Sequence, residues 1–199
     1  MNKLRFQTVS VNPKPSRDQA EEAVRTLIRW AGDNPARDGL QDTPRRVIDS
    51  YQELFSGYTM SLDSKICKTF PNFSAYEDMI MLKNIRLESC CEHHMSPIIG
   101  AVTIAYIPDD KIIGLSKLAR IVDYHAKRLQ IQERLTIEIA KTLNEIVDPC
   151  GVGVVIESSH HCMTTRGVHK PGSLMRTSHM IGCFKEKEVR KEFLDNAFE

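Results

Sequence analysis

At 199 residues, with 41% apolar and 27% charged side chains, the chain has enough apolar material for one domain with a proper core. A formal net charge of +1, with no run of five or more like charges, excludes a broad nucleic-acid-binding or membrane-surface face. A local basic pocket for an anion stays open, because overall neutrality hides local fields.

No apolar run approaches the ~20 residues that span a bilayer. Met1 to Ser16 is polar, carries Lys3, Arg5 and Lys14, and has no apolar centre, so it does not read as a secretory signal. The six cysteines, Cys67, Cys90, Cys91, Cys150, Cys162 and Cys183, read as reduced thiols, since a chain with this much core needs no disulfide framework. The expected compartment is the cytoplasm.

Ser16 with Gln19 three residues on forms a capping box. Ala20, Ala23, Val24, Leu27, Ile28 and Ala31 follow as the stripe of an amphipathic helix. The loop Gly32 to Asp42 breaks it. Thr43-Pro44 reads as N-cap and first residue of a second helix, with Val47, Ile48, Tyr51, Leu54 and Phe55 on one face and Gly57 at its end. Residues 1–77 are thus expected to form an N-terminal helical region, and 78–199 one compact catalytic unit.

From Asp78 the pattern changes to strands, Met79 to Glu88 and Ile98 to Ile107, rich in β-branched residues. Cys90-Cys91-Glu92-His93-His94 lies between them as a loop. Ser116 reads as the cap of a long helical region with two apolar faces, stopped by Pro149-Cys150-Gly151. Strands return at Val152 to Met163 and Leu174 to Phe184, and a polar helix from Lys185 to Phe198 closes the chain. The order predicts an α+β fold, an antiparallel sheet with helices on one side.

Two short segments pair thiols with imidazoles, the ligand types that zinc prefers: Cys91-Glu92-His93-His94 and His160-His161-Cys162. Cys91 and His94 make a C-x-x-H half-site, with Cys90 as the rival thiol. If Val152 to Met163 stays extended, His160 and Cys162 share a face and His161 points the other way. One reading is a closed Cys/Cys/His/His site that staples loops. The other has three ligands, Cys91, His94 and Cys162, and leaves the fourth position to water, whose pKa zinc lowers towards ~7. His160 and His93 would then be free for proton transfer. His125, on an apolar helical face, reads as a core histidine.

Ser116, Lys117 and Arg120 at a helix start, with Arg166 four residues past Cys162, are candidates for holding an anion. Gln132-Glu133-Arg134 includes a carboxylate able to accept two N–H donors, as from guanine, although a surface glutamate has the same appearance.

The chain resembles the GTP cyclohydrolase I family. The resemblance rests on Cys91-Glu92-His93-His94, Ala105-Tyr106-Ile107-Pro108, Gly114-Leu115-Ser116-Lys117, the run Arg128 to Thr136, His160-His161-Cys162-Met163, Arg166-Gly167-Val168 and Glu192-Phe193-Leu194. It covers Ser16 to the C-terminus. It implies the tunnelling fold, in ββααββ order with two helices on one face of the sheet, and a homodecamer with active sites at subunit interfaces. The implied reaction opens the imidazole ring of GTP at C8, releases formate and rearranges the ribose to give 7,8-dihydroneopterin triphosphate, the first step towards folate or other pterins.

Carried over position by position, the resemblance implies one zinc per subunit on Cys91, His94 and Cys162. It implies His160 as the group that protonates N7 and His93 as a helper near the ribose oxygen. Gln132 and Glu133 would read guanine, and Ser116, Lys117, Arg120, Arg166 and Arg46 would hold ribose and triphosphate. Asp49 stands where certain members place a phosphate-binding lysine. The short N-terminus resembles bacterial members and implies no feedback control through a partner protein. Two other readings are a different tunnelling-fold enzyme acting on a pterin or deazapurine, and a non-catalytic assembly protein stapled by zinc.

Overall fold

The structure, a computed structural model, describes residues 13–63 and 67–198. Most of the segment read as lacking a secretory signal, residues 1–12, lies outside the described residues. Two compact units divide the chain, residues 1–53 and 54–199.

In the first unit, helix α1 (Arg17–Trp30) begins with the expected capping box, the Ser16 hydroxyl accepting from Gln19 N and the Gln19 side chain accepting from Ser16 N. Its apolar stripe buries no residue, and Leu27 and Trp30 are exposed. Helix α2 (Thr43–Leu54) already includes Thr43, one residue before the expected start. Asp49 accepts from Arg17 at 2.7 Å and from Arg45 at 3.4 Å, so its carboxylate works within this unit as a partner for arginines.

The second unit is built on a five-stranded sheet of order β5-β2-β3-β6-β7. Its strands are β2 (Ile80–Cys91), β3 (Pro97–Ile107), β5 (Leu129–Gln130), β6 (Gly151–His160) and β7 (Met175–Gly182). All neighbours are antiparallel except β2 and β5. A bulge between Leu82 and Ile85 interrupts the β2–β3 register, where Asn84 takes a positive φ of 56°. Two short strands, β1 (Thr69–Pro71) and β4 (Lys111–Ile113), form a separate ribbon. Their length leaves no alternation to read in the sequence.

Helices α3 (Leu115–Ala126) and α4 (Gln132–Val147) cover one face of the sheet. Leu118, Ile121, Val122, Leu135, Ile139 and Leu143 pack there against Ile104, Val154 and Ile156. The intervening strand residues point to the opposite face. There Ala105 and Val155 meet Phe184 and Phe193, the latter from α6 (Lys187–Phe198). As expected, the two helices α3 and α4 share one face, and the closing helix α6 adds a layer on the other. Gly153 permits this, since a Cβ there would lie 2.5 Å from Phe184 and 2.8 Å from Phe193.

Sequence register brings the two Cys/His segments together. Cys90 pairs with Pro97 across β2–β3, and Ile98 pairs with His160 across β3–β6. The end of β2, the start of β3 and the end of β6 thus meet at one end of the sheet.

Candidate metal centre

Cys91 is the last residue of β2 rather than part of the loop, and is 5% exposed. Its N–H donates to Ser96 O at 2.8 Å, while its carbonyl accepts from Met95 N at 2.8 Å. These bonds close a tight turn over Glu92-His93-His94, with Met95 at a φ of 53°. Strand alternation turns Cys90 to the opposite face from Cys91. Its burial raises its thiol pKa first, with Cys91 adding to the rise and Lys127 opposing it.

The extended run expected through Met163 ends early. β6 stops at His160, and His161–Thr164 forms a single helical turn, α5. Cys162 therefore reaches the site from a helical turn, not by alternating with His160 along a strand. Even so, the ligand atoms of Cys91, His94 and Cys162 all lie within 4.8 Å of one another. Cys91 Sγ is 3.8 Å from His94 Nδ1. Tetrahedral zinc, with bonds of ~2.3 Å to sulfur and ~2.0 Å to nitrogen, would hold such a pair about 3.6 Å apart. The donor set fits a zinc ion. Burial pushes the Cys162 thiol up, as do the charge and hydrogen bond of Cys91, while Arg166 pulls the other way. A divalent cation reverses that balance, because a coordinating thiol is deprotonated.

His93 lies beside this group, exposed, with Nδ1 4.0 Å from Cys91 Sγ and Nε2 3.9 Å from Glu92 Oε1. His160 is half-buried at the end of β6 and bonded to Gln132, Nε2 to Oε1 at 2.8 Å. Burial lowers its pKa, and the charge of Glu133 opposes that shift.

Gln132 departs from the expected base-reading position. It is 1% exposed, and its Nε2 donates at 3.1 Å to Ile156 O, Met175 O and Thr177 Oγ1. Its Oε1 accepts from Ser158 Oγ at 2.6 Å as well as from His160. The two carbonyls fix the orientation of the amide, so Oε1 faces His160 and the proton of that ring sits on Nε2. This leaves Nδ1 as the free nitrogen. Glu133, next in sequence, is exposed.

The candidate anion group is split. Arg166 lies near Cys162, as its effect on that thiol shows. Ser116 and Arg120 are exposed and Lys117 half-buried at the start of α3, where Gly114, not Ser116, is the N-cap. The far end of that helix is the one tied to β2, through Ser89 Oγ donating to Ala126 O at 2.6 Å. From Ser116 to Ala126 is roughly 15 Å of helix at ~1.5 Å per residue. Arg46 belongs to the first unit, where it pairs with Asp42 at 3.4 Å.

His125 is fully buried, with Nε2 2.8 Å from Thr142 Oγ1 and Nδ1 facing Glu138 at 3.4 Å, outside hydrogen-bond alignment. Sequence reasoning missed the polar residues that support the site, Gln130, Arg134 and Ser158. Only Ser158 had a signal, sharing a strand face with His160.

The family profile described as GTP cyclohydrolase I matches residues 20–197. A protein of Maricaulis maris (strain MCS10), "GTP cyclohydrolase 1", is 47% identical over 186 residues, covering 93% of this chain and 91% of that protein. Proteins of the same name from Sinorhizobium fredii (strain NBRC 101917 / NGR234) and Hyphomonas neptunium (strain ATCC 15444) are each 48% identical. They cover 89% and 92% of this chain, and 87% and 89% of their own lengths. A solved structure, "Crystal structure of the archaeosine synthase QueF-Like in the apo form", overlaps 52% of this chain and 93% of its own. It does so with a TM-score of 0.44 and 21% identity. Among the described residues no helix is long and apolar enough to cross a membrane. With a family profile spanning nearly the whole chain and relatives close to half identical along it, the chain belongs to the GTP cyclohydrolase I family.

Proposed function

We propose that the protein hydrolyses GTP at C8, releases formate and forms 7,8-dihydroneopterin triphosphate, acting in the cytoplasm at the start of folate or pterin synthesis. The observation that carries this reading is the convergence of Cys91, His94 and Cys162, with His160 beside them and its Nδ1 free. Cys91, His94 and Cys162 would hold one zinc ion per subunit. When bound, zinc polarises its ligands and activates water near neutral pH.

The chain's own groups do the rest. Gln132 keeps the proton of His160 on Nε2, so proton exchange with the purine N7 runs through Nδ1. His93, exposed on the same turn, serves the ribose oxygen. Glu133 presents an exposed carboxylate to the guanine N–H donors. Gln132 enters guanine recognition only through the orientation of His160.

Arg166 contributes to the triphosphate from the Cys162 side, and Ser116, Lys117 and Arg120 contribute from α3. Arg46 is a further candidate contact. The length of α3 between Ser116 and Ala126 supports an assembly in which a second copy supplies the α3 cations to each site. Exposed Ile99, Leu115, Val168 and Leu174 offer apolar surface for such packing. A homodecamer is the proposed form.

The test is incubation of the purified protein with GTP, with and without a chelator. Formate release and the fluorescent pterin formed on oxidation are expected, and the chelator abolishes both. A zinc-loaded protein that yields neither product overturns the reading and leaves the zinc-stapled assembly protein in its place.

A further inference from the structure

The turn that carries Cys91 and His94 is held by a residue with no assigned role. Glu92 N–H donates to Gln130 O at 3.0 Å, continuing the parallel pairing of Cys91 with Gln130. The Glu92 carboxylate accepts from Arg134 Nη2 at 2.6 Å. The same guanidinium donates from Nε to Gln130 Oε1 at 3.0 Å and from Nη2 to Leu129 O at 3.2 Å. Gln130 is 2% exposed, and its Nε2 donates to His125 O and to Glu138 Oε2, both at 2.9 Å.

A surface ion pair alone contributes little to stability and carries no function. Here the arginine is bonded at two further points, one of them the side chain of the buried Gln130. Its fork is fixed before Glu92 arrives, and a fixed fork orients what it binds. Glu92 lies between the two ligands of the turn. Holding its backbone to Gln130 and its carboxylate to Arg134 therefore sets how Cys91 and His94 face each other.

We infer that Arg134 is a positioning residue for the candidate metal centre, clamping the Cys91–His94 turn through Glu92. This inference rests on the metal reading proposed above. Its test is zinc affinity of the full-length protein, measured by competition with a chromogenic chelator, together with the melting temperature of the zinc-free form.

Arg134→Ala is expected to weaken zinc binding about 10–100-fold, the scale on which outer partners of metal ligands act. Arg134→Lys recovers only part of that loss, since it keeps the charge without the fork. Glu92→Gln weakens binding on the same scale, and the double variant is no weaker than the worse single one, because both remove one contact.

Parent-like zinc affinity in Arg134→Ala, or losses that simply add in the double variant, overturns the inference. So does a lower zinc-free melting temperature with zinc affinity intact, the result of a purely structural role. If Arg134→Ala does not fold, Glu92→Gln decides alone by the same affinity criterion. A parent protein that binds zinc no better than Cys162→Ala removes the metal reading itself, and this inference with it.

Discussion

On the proposed reading, two nearby residues, Cys162 on α5 and His160 on β6, divide the holding of a metal from the movement of a proton. Cys162 converges with Cys91 and His94, whereas the Nε2 of His160 is already engaged by Gln132. Cys162→Ala is therefore expected to lose the metal and, with it, formate production. His160→Ala should keep zinc while losing turnover by about 10²–10⁴-fold, the usual range for a positioned acid or base. Metal analysis of the two purified variants, run beside the formate assay, separates them. Zinc loss in His160→Ala would make that histidine a ligand. Gln132 shows why its own role was hidden in the sequence. A glutamine at a helix start beside a glutamate looks like a surface polar pair. Only tertiary packing, through Ile156, Met175 and Thr177, turns its amide inwards.

At the scale of elements, α3 and α4 are joined by polar groups inside an apolar interface. Burial alone would raise the pKa of Glu138. The imidazole of His125 facing it, the hydrogen bond from Gln130 and the charge of Arg134 overcome that, and the net shift is downward. A carboxylate with a depressed folded pKa stabilises the fold above its unfolded value near ~4.3 and loses that contribution as pH falls through the folded pKa. Glu138→Gln should thus cost about 1–2 kcal/mol at pH 7, where hydrogen bonds to a charged acceptor are lost. It should also lose less stability than the parent on acidification below pH ~4. Urea midpoints of both proteins at pH 7 and on the acid side test this, and parallel acid limbs would count against it. The elements themselves were largely legible, because the stripes of α1 to α4 and the β-branched runs of β2, β3 and β6 follow local periodicity. Their ends were not. Cys91 belongs to its strand because pairing with Gln130 and Ser96 extends β2. Cys162 leaves its strand because the chain turns at His161, and neither cause has a period in the sequence. The carriage of Phe193 to the second face depends on Gly153, whose missing side chain reads in sequence as mere punctuation.

For the whole molecule, the candidate ligands come from chain segments far apart in sequence that only the β2–β3–β6 register brings side by side. Unfolding separates them, so a metal bound by all three binds the native state alone, and its binding free energy adds to stability. Zinc at 100 times its dissociation constant would contribute about 2.7 kcal/mol. For a chain of this length, each kcal/mol moves the melting temperature by about 2–4 °C, so a rise of about 5–10 °C is expected. The rise should vanish in Cys162→Ala and persist in His160→Ala, because only the first removes a ligand. Thermal melts of the parent and both variants, with chelator and with zinc, make that comparison. Equal shifts in all three proteins would place the zinc elsewhere. A shift confined to proteins with Cys162, in a parent that also releases formate, ties the stabilising metal and the working metal to one centre. A shift without formate would leave the centre as a staple. The register of three strands therefore sets both the stability that zinc adds and the chemistry proposed to depend on it.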